Sequence, residues 1–249
     1  EKKLAARHLQ PGAPVLYDLT SSYFEGSTCP LARRGYNRDG KKGKLQVNYG
    51  LLTDARGCPV SISVFEGNTS DPQTVLPQVD QLQQDFALES VILVGDRGMI
   101  SQKQIDVLSE RSGAAWITAL KGGAIRKLVQ AGAIQMDLFD ERNLFEFAHE
   151  DFPGERLIVC RNPQLAELRA HKRRSLLEAT SQELQVVQRM VRNARLKDPD
   201  KIGVRVGRVL NKYKMAKHFV LQIQAEHFTF HIDEEKVAAE ATLDGLYVI

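Results

Sequence analysis

The chain has 249 residues, 43% hydrophobic and 26% charged, with 34 Lys and Arg against 31 Asp and Glu for a net charge of +3. It can bury a substantial core, as one large domain or one domain with an insertion. There is no apolar run of about 18 residues and no basic-then-apolar leader, so the sequence supports neither a membrane span nor a signal peptide. Its first residue, Glu1, reads as the start of a fragment.

Residues 1 to 12 form a polar lead closing on Pro11-Gly12. A first strand is predicted over about 14 to 20, in Val15-Leu-Tyr-Asp18-Leu-Thr-Ser-Ser. From Gly26 to Gly43 the chain is rich in Gly, Arg and Lys and reads as a long loop or irregular hairpin, with Asp39-Gly40 as a turn. Strands near 45 to 53 and 59 to 66 follow, joined by the turn Thr53-Asp-Ala-Arg-Gly57. Asp71-Pro72 opens a helix whose Val75, Val79, Leu82 and Phe86 share one face, with Pro77 obscuring its start. A strand over 90 to 95 delivers Asp96, Ser101 caps a helix with Ile105 and Leu108 inward, and 115 to 120 is the next strand of a parallel crossover. Lys121-Gly-Gly123 reads as a loop at the sheet edge.

Beyond about 124 the pattern changes. Short strands near 143 to 149 and 156 to 160 precede Asn162-Pro163, the start of a long helical segment. Thr180-Ser-Gln-Glu183 has capping-box spacing, so the segment is predicted to break into two helices. Leu165, Leu168, Leu176, Leu184, Val187 and Met190 are the expected buried stripe. Strands near 218 to 225 and 227 to 232 come next, and Leu246-Tyr-Val-Ile249 reads as a return to the main sheet. His227 and His231 are four apart, but their segment alternates polar and apolar, so a strand with both on its polar face outweighs a metal-binding helix. Cys29, Cys58 and Cys160 are odd in number and far apart, which reads as free thiols. No phosphate-binding loop, dinucleotide fingerprint or nucleophile elbow is present.

Two aspartates stand out, because Asp18 and Asp96 each lie in or at the end of an apolar, β-branched run. A carboxylate there needs a partner. On neighbouring strands the two would repel unless they shared a proton or a cation, and Mg²⁺ takes one or two carboxylates while keeping waters and substrate phosphates. The competing reading is that Asp18 caps a turn and Asp96 pairs with Arg97. Glu25 and Glu66 lie near them in sequence, with a loop ion pair or simple solvation as the plainer reading. Charge is unevenly distributed: residues 33 to 44 carry +5 and residues 169 to 217 carry +10, leaving −12 elsewhere. Such segments suit a phosphate backbone, although a solvated helix face is an equal reading.

Asp18-Leu-Thr-Ser-Ser-Tyr-Phe-Glu25, Phe65-Glu-Gly-Asn-Thr-Ser-Asp71 and Asp96-Arg-Gly-Met-Ile-Ser101 together resemble the DDE-class insertion-sequence transposases. The likeness is to the subgroup with a long insertion between the second and third acids, and continues through Trp116-Ile-Thr-Ala-Leu-Lys121 and Leu243-Asp-Gly-Leu-Tyr247. The resemblance implies an α/β fold: a ribonuclease H-like mixed sheet flanked by helices, with a large inserted α+β subdomain. On that comparison, 1–129 is the N-terminal part of the core, 130–238 the insertion and 239–249 the start of the return to the core. It also implies that Asp18 and Asp96 are the first two acids of a two-metal site for Mg²⁺, with Mn²⁺ as substitute, acting on phosphodiesters at transposon ends. The family's third acid, a glutamate within a tyrosine, arginine, glutamate, lysine signature, is expected beyond Ile249, which would leave this chain alone inactive. The implied partners are double-stranded DNA, as transposon ends and target, and a second copy in a synaptic dimer, in a bacterial cytoplasm. Arg33, Arg34, Arg97, Lys121, Arg169, Lys172, Arg173, Arg189 and Arg192 are the candidate DNA contacts. A non-catalytic, transposase-derived DNA-binding or assembly protein is the alternative.

Overall fold

The structure is a computed structural model describing residues 1–38, 40, 41, 43–135, 139 and 142–249. The turn expected at Asp39 and the cation Lys42 lie outside the described residues. The chain divides into two compact units, Glu1–Lys121 with Ile249, and Gly122–Val248.

The first unit is organised by a five-stranded sheet in the order β3-β2-β1-β4-β5, made of β1 (Pro14–Phe24), β2 (Leu45–Thr53), β3 (Pro59–Glu66), β4 (Val91–Val94) and β5 (Ala114–Ile117). The first three strands are antiparallel, and β4 and β5 run parallel to β1. The α/β architecture with a mixed sheet is what the family resemblance implied. Strand β1 runs to Phe24, past the expected end at 20, because Thr20–Phe24 keeps pairing with Leu45–Tyr49.

Alternation along β1 explains where the core lies: Val15, Tyr17 and Leu19 are buried, and Asp18 and Thr20 are exposed. On the buried face the sheet meets Ala5 of α1 (Lys2–His8), Val75 and Val79 of α2 (Asp71–Asp80), and Ile105 and Leu108 of α3 (Gln102–Ser109). Helix α2 starts at a capping box, Ser70 with Gln73, tolerates Pro77 and runs on into a π-helical turn, Gln81–Asp85. The other face leaves Leu51, Ile62, Val64 and Ile117 exposed by 40% to 58%. Asp18 stands in a cross-strand row with Leu51 and Ile62.

The second unit begins with α4 (Gly122–Gln130), so Gly122 and Gly123 open a helix where the sequence predicted a loop. A three-stranded sheet follows in the order β10-β7-β6, from β6 (Leu144–Phe147), β7 (Leu157–Arg161) and β10 (Leu246–Val248). The return of Leu246–Val248 to the main sheet is therefore corrected: these residues pair antiparallel with Val159–Arg161 of β7.

Helix α5 (Pro163–Arg192) is one helix of 30 residues, against the predicted break at Thr180. The Thr180 hydroxyl donates to the Leu176 carbonyl at 2.6 Å, which satisfies a fully buried side chain inside the helix. Glu183, the expected capping-box partner, instead accepts from Lys212 and Tyr213. The buried stripe is Leu177, Thr180, Leu184, Val187 and Val191, and Leu168 is 66% exposed. It packs on Ile202, Val206 and Val209 of α6 (Pro199–Tyr213). Asp198 starts α6 by accepting from the amides of Asp200 and Lys201. The hairpin of β8 (Phe219–Gln224) and β9 (His227–Ile232) adds Phe219 and Phe228 to this core, and α7 (Glu234–Ala241) follows. His227 and His231 are exposed on β9, as the alternation predicted.

Candidate active site and basic surfaces

Strands β1 and β4 pair in parallel through Leu16 and Val94, and Asp18 and Asp96 each lie two residues beyond that last pair. Both are exposed. Each spends one carboxylate oxygen on its own backbone. Asp18 Oδ1 accepts from the Leu19 amide at 2.9 Å, and Asp96 Oδ1 accepts from Gly98 and Met99 at 2.9 and 2.8 Å. Among the described residues neither makes an ion pair, so neither proposed alternative, a turn cap at Asp18 or an Asp96–Arg97 pair, is what the geometry gives. Asp18 is mid-strand, and Asp96 closes the Asp96–Met99 turn while Arg97 stays exposed.

Tyr17, next to Asp18 but on the buried face, has its phenol pushed up to about 12, chiefly by burial, with Thr74 opposing and the carboxylates of Asp71 and Asp18 adding. It stays neutral at ordinary pH.

The other acids nearby in sequence are committed elsewhere. Glu25 pairs with Lys44 at 3.8 Å, Glu66 with Arg33 at 3.3 Å, and Asp71 with Arg38. The basic loop is anchored: Arg33 exchanges both backbone hydrogen bonds with Gln46, whose fully buried side chain donates to the carbonyls of Tyr36 and Gly67. Gly35 and Gly67 bring backbone against backbone, since a Cβ on Gly35 would lie 2.0 Å from the Gly67 oxygen and one on Gly67 2.0 Å from the Gln46 oxygen. Of the candidate DNA contacts in the first unit, Arg34, Arg97 and Lys121 are exposed and Arg33 is half engaged by Glu66.

In the second unit the predicted cations divide into two groups. Lys172, Arg189 and Arg192 are exposed on α5. Arg173 is not: it holds Asp244, and its side chain is 11% exposed. Arg169 reaches the Leu243 carbonyl at 3.5 Å and lies over the Tyr247 ring at 5.7 Å. The arginines at the start of α5 therefore tie that helix to the Leu243–Tyr247 segment, a role that composition alone does not reveal.

One cluster escaped the sequence reading. His8, Asp54 and Cys58 bring potential metal-ligating atoms within 4.8 Å of one another. Both Asp54 oxygens are already taken, Oδ1 by the amides of Arg56 and Cys58 and Oδ2 by the Arg56 guanidinium. These contacts, the Cys58 amide foremost, hold the carboxyl at about 2. The cluster reads as a hairpin lock between β2 and β3.

No curated protein matches the chain. Among solved structures, a cryo-EM structure of a piggyBac transposase synaptic complex with hairpin DNA is similar over 62% of this chain and 32% of that one, at 15% identity and a TM-score of 0.39. The chain thus spans about a third of that protein's length. The family described as "Transposase DDE domain" matches residues 15–240, nearly the whole chain, with Asp18 and Asp96 inside the match. The chain belongs to the DDE transposase domain family.

Proposed function

We propose that the protein performs metal-dependent phosphodiester chemistry on DNA, as the catalytic domain of an insertion-sequence transposase, with Asp18 and Asp96 as carboxylate ligands. The observation that carries this reading is the placement of both acids two residues past the Leu16–Val94 pair, exposed, without a cation partner among the described residues. Each keeps one oxygen not engaged by a backbone amide, and hard carboxylate oxygens are the donors Mg²⁺ selects. When bound, the metal would activate water or a strand 3′-hydroxyl and stabilise charge on the phosphate. The backbone amides of Leu19, Gly98 and Met99 orient the two carboxylates.

DNA ends and target would be held by Arg34, Arg97 and Lys121 in the first unit and by Lys172, Arg189 and Arg192 in the second, with a second copy completing a synaptic dimer. A non-catalytic DNA-binding or assembly protein is favoured by one observation: Glu25, Glu66 and Asp71 of the first unit are each in an ion pair with a cation. Titration with Mn²⁺ distinguishes the two. Binding that is lost in both Asp18→Asn and Asp96→Asn supports the catalytic reading. Binding that survives either substitution sinks it.

A further inference from the structure

Beyond the two acids, a strongly basic concavity lies in the second unit, where α5, the end of α6 and α7 line an open cavity of about 440 Å³. Six cations line it: Arg169, Lys172, Arg173, Lys212, Lys214 and Lys217. Three carboxylates answer them, Asp244 on Arg173, Glu240 on Lys217 and Glu183 on Lys212, which leaves a surplus of three positive charges on one concave wall. Lys172 and Lys214 are exposed and make no ion pair among the described residues.

A second observation points the same way. His218 lines the cavity, is 2% exposed, and uses Nε2 on Glu240, while its buried Nδ1 has no partner among the described residues. Buried polar nitrogens are rarely left so. Glu240 stays ionised beside it: burial works to raise its carboxyl, and Lys217 and His218 more than offset that, holding it below the ordinary range. With Nε2 engaged by Glu240, Nδ1 is the ring position left for a further ligand.

We propose that this pocket is a phosphate site that takes the 5′-phosphorylated end of a DNA strand, the terminal monoester together with the diester next to it. This rests on the reading of the chain as a DNA-handling transposase. The charge argument is direct: a terminal monoester carries about −1.5 to −2 at pH 7, and one adjoining diester brings the total close to the surplus of the wall. An internal phosphate of a continuous strand brings only about one charge per nucleotide into a concavity that a strand end can enter. Tyr213, Met215 and Leu176 supply an apolar side to the same cavity, suited to a sugar or base edge.

The test is fluorescence anisotropy of the full chain with a short single-stranded oligonucleotide carrying either a 5′-phosphate or a 5′-hydroxyl, with inorganic pyrophosphate as competitor. The 5′-phosphate form should bind about tenfold more tightly, as expected for added charge-assisted hydrogen bonds. The double variant Lys172→Gln/Lys214→Gln should remove that preference. The control Arg205→Gln/Arg208→Gln, exposed on α6 and outside the cavity, should keep it. Equal affinity for the two oligonucleotides, or a preference that survives Lys172→Gln/Lys214→Gln, overturns the proposal while leaving DNA binding and the transposase reading intact. Binding of pyrophosphate without either oligonucleotide would instead overturn the nucleic-acid source and leave a site for free phosphate.

Discussion

Arg173 and Asp244 grip each other through the two terminal guanidinium nitrogens, Nη1 lying 3.0 Å from Oδ1, across 71 residues of sequence. Each side chain is 11% exposed, so the pair is largely withdrawn from water. Removing one partner strands the other, and Arg173→Gln should destabilise the second unit by about 2 kcal/mol, below the range for a fully buried pair. Urea denaturation of Arg173→Gln, Asp244→Asn and the double variant measures the coupling. Strictly additive single effects would show that the contact contributes nothing.

The hairpin lock at Asp54 predicts a pH dependence. Its folded carboxyl sits at about 2, below its ordinary 3.8, so the stabilisation is fully present above about 3.8 and is lost as pH falls through 2. Asp54→Asn should therefore flatten the acid limb of a stability curve between those values and lower stability at neutral pH. Thermal melts from pH 2 to 7 read both effects, and an unchanged acid limb would remove the assignment.

Thr180 offers a test of helix continuity. Thr180→Val keeps the shape and removes only the hydroxyl bond to Leu176, so it should cost about 1 kcal/mol with no loss of helical signal in circular dichroism. A drop in helix content would restore Thr180 to the role of a cap between two shorter helices.

Arg189 and Arg192 are exposed near the end of α5, away from the Asp244 tie. If both meet DNA phosphates, replacing them by glutamine should flatten the slope of log K against log salt by about 1.8, since each phosphate contact contributes about 0.9. The loss should be equal for end-repeat and random duplexes. An unchanged slope would identify this surface as merely solvated.

What could be read from the sequence follows the range of the interactions involved. Strands β1 to β5 were legible because each carries its own period-two pattern or an apolar run closed by a turn. The placement of Asp18 and Asp96 on neighbouring strands was legible because each lies in or closes an apolar run. The single helix α5 was not, since Thr180 has the same local signature whether it caps or bonds back to Leu176, and only packing against α6 decides between them. The pairing of Leu246–Val248 with β7 was hidden for a similar reason, because a three-residue strand fits either sheet and its partner lies some 85 residues earlier, a long-range choice that local pattern does not encode. Helix α6 did carry a local signal, Asp198-Pro199 ahead of Ile202, Val206 and Val209.

Gly35 and Gly67 leave no side-chain layer between the basic loop and the turn that leads into α2. Two backbones in direct contact have no compressible cushion, so a displacement of the Glu66–Ser70 turn is passed to Arg33 and Arg34 without mechanical slack. The positional error of these guanidinium groups is then set by their own rotamers, and the segment from Leu31 to Tyr36 behaves as a plate bolted to the sheet edge rather than as a tether.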